Sequence, residues 1–223
     1  MRLKSLFKKQ VLVLGDSHVL VFENSHITER YKDFFFNICS VGGATLSGLD
    51  NPNSKTKAMP TFSSEIKINK PKFIIINLGE VDMGFVIWYR NQYNNISIQE
   101  ALDKAVKNYI RLILNAKNKA DVICISAPLP TIKDDQDWGE VANLRGSISA
   151  TQRERTELTK EFNSLIDQFC SKNAVRYINL DCRSSDYDGL VSKSLLNDDE
   201  LNHHYDNNKY SKILISYLDK ILR

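Results

Sequence analysis

The chain has 223 residues, of which 42% are hydrophobic and 26% are charged, proportions typical of a soluble globular protein. Its formal net charge of +3 comes from 30 basic and 27 acidic residues spread along the sequence, a distribution that argues against a nucleic-acid partner. No apolar run approaches the length of a membrane span, and the apolar stretch near the N-terminus is too short for a signal peptide.

The length predicts a single domain over residues 1–223, large enough to bury a full core. The four cysteines show no C-x-x-C spacing, and Cys39 and Cys124 stand within apolar runs. We therefore expect buried thiols at these two positions and a reduced, cytoplasmic protein without a membrane partner.

Five short apolar segments predict β-strands. The first, third and fourth are almost continuously apolar, which is typical of strands covered on both faces in a parallel sheet. The five segments are 10–15, 34–41, 72–79, 121–128 and 176–181.

Amphipathic helices are predicted between and after these strands. Ser97 with Glu100 and Thr151 with Glu154 have the spacing of capping boxes, and an apolar stripe follows each pair. A third stripe covers residues 208–222. Strands alternating with helices predict a three-layer α/β/α sandwich with a five-stranded parallel sheet and flavodoxin-like order.

Two longer segments, 49–62 and 127–149, carry turn residues and mixed polarity. Each follows a predicted strand. Loops of this length usually either shape a site or are mobile.

The carboxyl ends of neighbouring strands bring polar residues together. In an open α/β sheet, ligands bind at this edge where the strand order reverses. The first strand ends in "GDSH" and the third in "LGEVDMGF", which predicts that Ser17 lies near Glu80 and Asp82. The glycine-rich "SVGGATLSG" after the second strand reaches the same edge.

Two adjacent histidines, His203 and His204, precede the last predicted helix within "NDDELNHHYDNNKY". A serine becomes a nucleophile near neutral pH when a base takes its proton, and histidine is the usual base. The alternative is a surface pair that binds metal weakly with Asp198 and Asp199, but no second cluster of ligands supports it. We therefore predict no metal and no cofactor.

These segments, in order, resemble the SGNH or GDSL-type hydrolases along the whole chain. "GDSH" resembles the first block, which implies that Ser17 is the nucleophile. "GGAT" resembles the second, in which Gly43 and Ser17 donate backbone N–H groups to the oxyanion. "HHYDNNKY" resembles the fifth, where His204 fits the spacing of the base better than His203.

Two positions depart from the family pattern. "GEVD" stands in the third block, where Val81 replaces an asparagine that helps to hold the oxyanion; such a loss costs about 10²–10³ in rate. The family's aspartate precedes the histidine by three residues, and Leu201 stands there. We favour Asp199 as the third member of the triad, with a Ser17–His204 dyad as the alternative.

The resemblance implies a serine hydrolase that acts on a small-molecule or glycan ester, with an acetylated sugar as the first candidate. Glu80 and Asp82 are expected to bind sugar hydroxyls of the substrate or to orient the histidine, and Trp138 to stack on a substrate ring. The alternatives are edge carboxylates or helix caps for the two acids and a loop anchor for Trp138. The competing functions are a carbohydrate-binding or regulatory protein with weakened catalysis and an O-acyltransferase. "GDSHVLVF" lacks the glycines of a phosphate-binding loop, which argues against a nucleotide binder.

Overall fold

In the computed structural model, residues 8–134, 148–199 and 202–222 are described. Their strands form one five-stranded sheet in the order β2-β1-β3-β4-β5, and every neighbouring pair is parallel. This confirms the predicted sheet and its flavodoxin-like order. The strands are β1 (Lys9–Gly15), β2 (Phe34–Ser40), β3 (Phe73–Asn77), β4 (Asp121–Ile125) and β5 (Arg176–Ile178).

Helices connect the strands and cover both faces of the sheet. They are α1 (Ser25–Arg30), α2 (Ala58–Ile68), α3 (Ile87–Asn94), α4 (Ile98–Lys117), α5 (Gln152–Lys172), α6 (Asp181–Ser184) and α7 (Asn207–Leu218). Within the described ranges, 3₁₀ turns cover Ser17–Glu23, Leu46–Gly48 and Lys193–Leu195, and a π-helical turn, Asp82–Val86, leads into α3.

Alternate side chains of the central strands enter two separate cores. Leu12 and Leu14 of β1 pack with residues of α2, α4 and α5 on one face. Val11 and Val13 pack with the 17–23 turn, α1 and α7 on the other. The strands are continuously apolar because both faces are buried, which confirms the three-layer arrangement.

The predicted caps largely agree with the structure. Thr151 and Glu154 form a complete capping box at the start of α5, whereas Ser97 accepts a hydrogen bond from the Glu100 N–H at the start of α4. Helix α2 begins at Ala58, inside the segment 49–62 that was expected to be a loop. The buried residues Phe62 and Ile66 lie four apart, a helical spacing that the prediction overlooked.

Cys124 lies buried in β4, as predicted, but Cys39 is only partly buried. Cys39 belongs to β2 at the edge of the sheet, where no further strand covers it. Among the described residues, no helix is both long enough and apolar enough to cross a bilayer.

Polar side chains join α1 to α7 on the outer face of the sheet. Arg30 forms a bidentate pair with Asp219, with nitrogen–oxygen distances of 3.1 and 2.8 Å, and the Tyr31 hydroxyl donates to the same carboxylate. Asn24 donates to Asn208 near the start of both helices. The element that follows Ser17 is therefore fixed against the element that follows His204.

Candidate active site

Ser17 lies directly beyond β1, at the first position of the 17–23 turn. Gly15 permits this sharp exit, because a Cβ atom there would lie 2.3 Å from both the Asn77 carbonyl oxygen and the Val19 side chain. Asp16 is the N-cap of the turn and accepts the His18 N–H. Ser17 is thus presented, half-exposed, at the carboxyl edge of the sheet.

The Ser17 hydroxyl meets His204, which is 187 positions away in the sequence. Ser17 Oγ lies 2.7 Å from His204 Nε2, within the range of a serine–histidine pair in active enzymes. Of the two adjacent histidines, His204 is the one at hydrogen-bond distance from the serine.

Asn202 orients the imidazole of His204. Its Oδ1 accepts the His204 backbone N–H and lies 3.0 Å from His204 Nδ1. An amide oxygen only accepts, so Nδ1 carries the proton and a neutral ring leaves Nε2 as an acceptor. In this tautomer the Ser17 hydroxyl donates to Nε2, as general-base catalysis requires.

Asn202 therefore contacts His204 Nδ1, the atom at which a triad carboxylate from Asp199 is predicted. The Asp199 side chain is exposed, and its backbone carbonyl accepts the Asn202 N–H. The assignment of Asp199 to the triad stays a prediction, whereas the contact of Asn202 with Nδ1 is a feature of the structure.

His203 lies beside the pair rather than in it. Its ring centroid is 4.2 Å from that of His204, and its carbonyl oxygen accepts a hydrogen bond from Thr131 Oγ1. The loop after β4 thus holds the backbone of the histidine loop through Thr131.

A further imidazole, His18, packs against His204. The two ring centroids are 4.7 Å apart and the rings are tilted by 49°. His18 Nδ1 lies 2.9 Å from Asp16 Oδ1, and both residues are buried. Neither had been singled out as functional, although the spacing Asx-x-His recurs at Asp16–His18 and Asn202–His204 and could have indicated both contacts.

The segment after β2 runs beside the serine turn. Val41 N–H donates to the Gly15 carbonyl and Ser40 Oγ donates to the Asp16 carbonyl. Gly43 follows with φ +67°, in the left-handed region that favours glycine, and it is exposed. Its oxyanion role stays a prediction that this placement permits.

Asp82 occupies a structural position. It is fully buried, and its two carboxylate oxygens accept the N–H groups of Leu46 (2.6 Å) and Ser47 (3.0 Å). Burial raises the pKa of Asp82, and these two hydrogen bonds oppose that rise. The geometry does not support the expected contact between Asp82 and a substrate; Asp82 instead holds the 46–48 turn that follows Gly43.

Glu80 is also buried, with 4% of its surface exposed, and its carboxylate folds along the helix towards Gly84. Its predicted contact with substrate stays a prediction. Trp138 lies outside the described residues.

A pocket of about 200 Å³ opens beside Ser17 and His204. Carboxamides and aromatic or apolar side chains line it, and its described lining contains no aspartate, glutamate, lysine or arginine. Burial, together with the negative charge of Asp16, raises the pKa of Tyr210 in this lining. The carboxamide, aromatic and apolar residues of this lining are Leu20, Asn197, Asn202, Tyr205, Asn207 and Tyr210.

No protein-family model matches the sequence, and no curated protein resembles it significantly. Solved structures do resemble the fold. A GDSL-like lipase from Bacteroides thetaiotaomicron VPI-5482 has a TM-score of 0.63 at 15% identity, over 96% of this chain and 87% of that one. An acetylxylan esterase from Geobacillus stearothermophilus has 0.62 at 12%, over 97% and 96%.

A carbohydrate acetylesterase from Sinorhizobium meliloti has a TM-score of 0.60 at 14% identity, over 96% of this chain and 98% of that one. The chain has the fold of GDSL-type hydrolases. At these identities the likeness concerns the backbone alone, so the chemistry has to be argued from the residues at the site. Among the described residues, no three His, Cys, Asp or Glu side chains are grouped as metal ligands would be.

Proposed function

We propose that the protein is a serine-dependent hydrolase of small, uncharged acyl esters. The observation that carries this proposal is the 2.7 Å contact between Ser17 Oγ and His204 Nε2, with the imidazole tautomer fixed by Asn202. Both groups lie at the carboxyl edge of a doubly wound sheet, where such folds bind ligands.

In the first half of the reaction, Ser17 Oγ attacks the ester carbonyl while His204 Nε2 takes its proton. The N–H groups of Ser17 and Gly43 hold the oxyanion of the tetrahedral intermediate. The carbon–oxygen bond to the alcohol then breaks, and His204 returns the proton to the departing alcohol.

In the second half, water attacks the acyl-serine. His204 takes a proton from this water, and collapse of the second tetrahedral intermediate releases the carboxylic acid and restores the Ser17 hydroxyl. If a sugar hydroxyl takes the place of water, the same steps transfer the acyl group.

Val81 bears on the rate of these steps. It occupies the position at which the family resemblance expects an asparagine donor. Since one such donor is typically worth about 10²–10³ in rate, we expect modest turnover with simple esters.

The pocket supports a neutral alcohol as the leaving group. Asn197 and Asn207 line it, and their accessible amides offer donors and acceptors that suit sugar hydroxyls. Two of the solved structures with this fold are described as esterases of acetylated carbohydrates. An O-acetylated sugar is therefore the substrate class that we propose.

The decisive experiment compares wild type with Ser17→Ala on p-nitrophenyl acetate, an acetylated oligosaccharide and a fluorophosphonate probe. We expect labelling of wild type at Ser17, and acetate release that Ser17→Ala lowers by at least about 10³-fold. A melting temperature of Ser17→Ala equal to that of wild type shows that the variant is folded.

The alternatives give different results. Sugar binding by equilibrium titration, without labelling or turnover, would indicate a carbohydrate-binding protein and contradict the proposal. Acetyl transfer to an added unacetylated sugar, faster than release to water, would indicate an acyltransferase.

A further inference from the structure

Two turns of the same design face each other at this site. Asp16 Oδ1 accepts the backbone N–H of His18 and lies 2.9 Å from its Nδ1. Asn202 Oδ1 makes the same two contacts with His204, each at 3.0 Å. The rings of the two histidines then meet, with their centroids 4.7 Å apart.

Burying the Asp16 carboxylate costs more free energy than capping the turn requires. It is 1% exposed, and its second oxygen, Oδ2, is buried without a hydrogen-bond partner among the described residues. Burying a carboxylate is costly unless it is well paired. Asparagine would supply the same Oδ1 acceptor at lower cost, so the charge must serve another purpose than starting the turn.

The charge strengthens the hold on His18. A carboxylate accepts a shorter and stronger hydrogen bond from an imidazole N–H than a neutral amide does. His18 is therefore held through its backbone and its ring by one buried group, and its own side chain is almost fully covered. The result is a rigid imidazole at the end of a strand.

His204 is more accessible than His18. It is partly exposed, it lies in a loop before α7, and its Nδ1 is 3.0 Å from the neutral amide oxygen of Asn202. A small rotation of its side chain would carry Nε2 away from Ser17 Oγ. Displacement of a catalytic group by 1 Å costs about 10²-fold in rate.

We propose that His18, fixed by Asp16, is a positioning residue that keeps the His204 ring directed at Ser17. The inference rests on the proposed function, since it assigns His204 the role of base. His18 acts through ring contact with His204 and takes no part in the bonds that form and break.

The experiment separates the ring of His18 from its hydrogen bond. His18→Ala removes both, and we expect kcat for p-nitrophenyl acetate to fall about 10–100-fold with KM within about twofold. His18→Phe keeps a ring but loses the N–H, and we expect it to recover kcat to within about fivefold of wild type. Asp16→Asn keeps the acceptor and loses the charge, and we expect a kcat between these two.

His26→Phe is the matched control, because His26 is an exposed histidine of α1 that bonds to Ser211 away from the reacting pair. We expect its kcat and KM to equal those of wild type. If His18→Ala fails to fold, His18→Leu fills more of the space without restoring a ring, and it should show the same loss of kcat.

A second readout is independent of turnover. ¹⁵N-edited NMR of the histidine rings reports which nitrogen of His204 carries the proton. We expect a single Nδ1–H tautomer in wild type and His18→Phe, and an averaged state in His18→Ala. This measurement tests the positioning role even if Ser17→Ala were to show that the esterase proposal is wrong.

Two results would overturn the inference. One is a kcat of His18→Ala within twofold of wild type, with an unchanged His204 tautomer. The other is a loss in His18→Phe as large as in His18→Ala, which would show that the contact between rings is not what matters.

Discussion

The Asp16–His18 turn and the Asn202–His204 turn share one hydrogen-bond pattern but differ in burial and charge. The first is buried and holds its imidazole with a carboxylate. The second is partly exposed and holds its imidazole with an amide. The imidazole that touches Ser17 belongs to the second, partly exposed turn.

The difference in burial and charge suits the two imidazoles to different tasks, one as a support and one as a base. A base has to take up and return a proton, so it needs access to substrate and a ring whose protonated form is not too strongly favoured. A support needs only to stay in place, and burial next to a fixed charge achieves that. Under the proposed function, the two turns divide these tasks between two histidines.

The test with the largest expected effect replaces His203 and His204, one at a time, by glutamine. His204→Gln should lower kcat/KM for p-nitrophenyl acetate by at least about 10³-fold, because no base remains for Ser17. His203→Gln should lower it far less, because the nitrogen 2.7 Å from Ser17 Oγ belongs to His204, so the base is kept when His203 is replaced. Steady-state kinetics checks both. Equal losses in the two variants would contradict the assignment of the base.

A second test changes Asn202, either removing its acceptor or giving this turn the carboxylate that Asp16 has in the other. Asn202→Ala should lower kcat by about 10–10²-fold, since the hydrogen bond that fixes the Nδ1–H tautomer is lost. Asn202→Asp keeps an acceptor and adds a negative charge, which favours the imidazolium form. We expect it to retain activity while the acid limb of its kcat/KM profile moves to higher pH. An unmoved acid limb would argue that Asn202 does not contact the working imidazole in solution.

The prediction with the smallest expected effect concerns a carboxylate that accepts a hydrogen bond from a side-chain amide. Asp181 accepts a hydrogen bond from Asn163 Nδ2 at 2.8 Å, and burial raises the pKa of Asp181 to about 6. The folded state therefore binds more protons than the unfolded state between about pH 4 and pH 6. The free energy of unfolding that Asp181 contributes falls as pH rises through this window.

Asp181→Asn should remove this dependence. At pH 7 to 8 we expect the variant to be more stable than wild type by about 1 kcal/mol, a value reduced for solvent screening at this partly exposed site. At pH 4 the two proteins should be equally stable. Urea unfolding at both pH values measures the difference, and a variant that is less stable at pH 8 would contradict the prediction.

Much of the fold follows from the sequence because burial on both faces of a sheet leaves an unmistakable run of apolar residues. The exit from β1 at Gly15 and Ser17 could be placed for the same reason. Helix α2 was missed at its start because Pro60 and the polar residues before Ala58 are typical of a loop, although proline is tolerated in the first turn of a helix.

The site was harder to predict in its details. The resemblance to the GDSL-type hydrolases paired Ser17 with His204, whereas their positions at strand and helix ends left both adjacent histidines open. For Asn202 the sequence carries one weak signal, its spacing from His204, because a neutral amide beside Asp198 and Asp199 adds no charge pattern. The burial of Asp82 depends on the 46–48 turn folding over it, a tertiary contact that no local pattern encodes.

The bond between Arg30 and Asp219 has a consequence for the timing of activity. Synthesis delivers the serine early and its imidazole 187 positions later, so a ribosome-bound chain carries a hydroxyl with nothing to deprotonate it. Only when α7 docks against α1 do the two reactants come within reach of each other. Under the proposed function, a nascent polypeptide would therefore remain inert towards esters until its own folding is nearly finished.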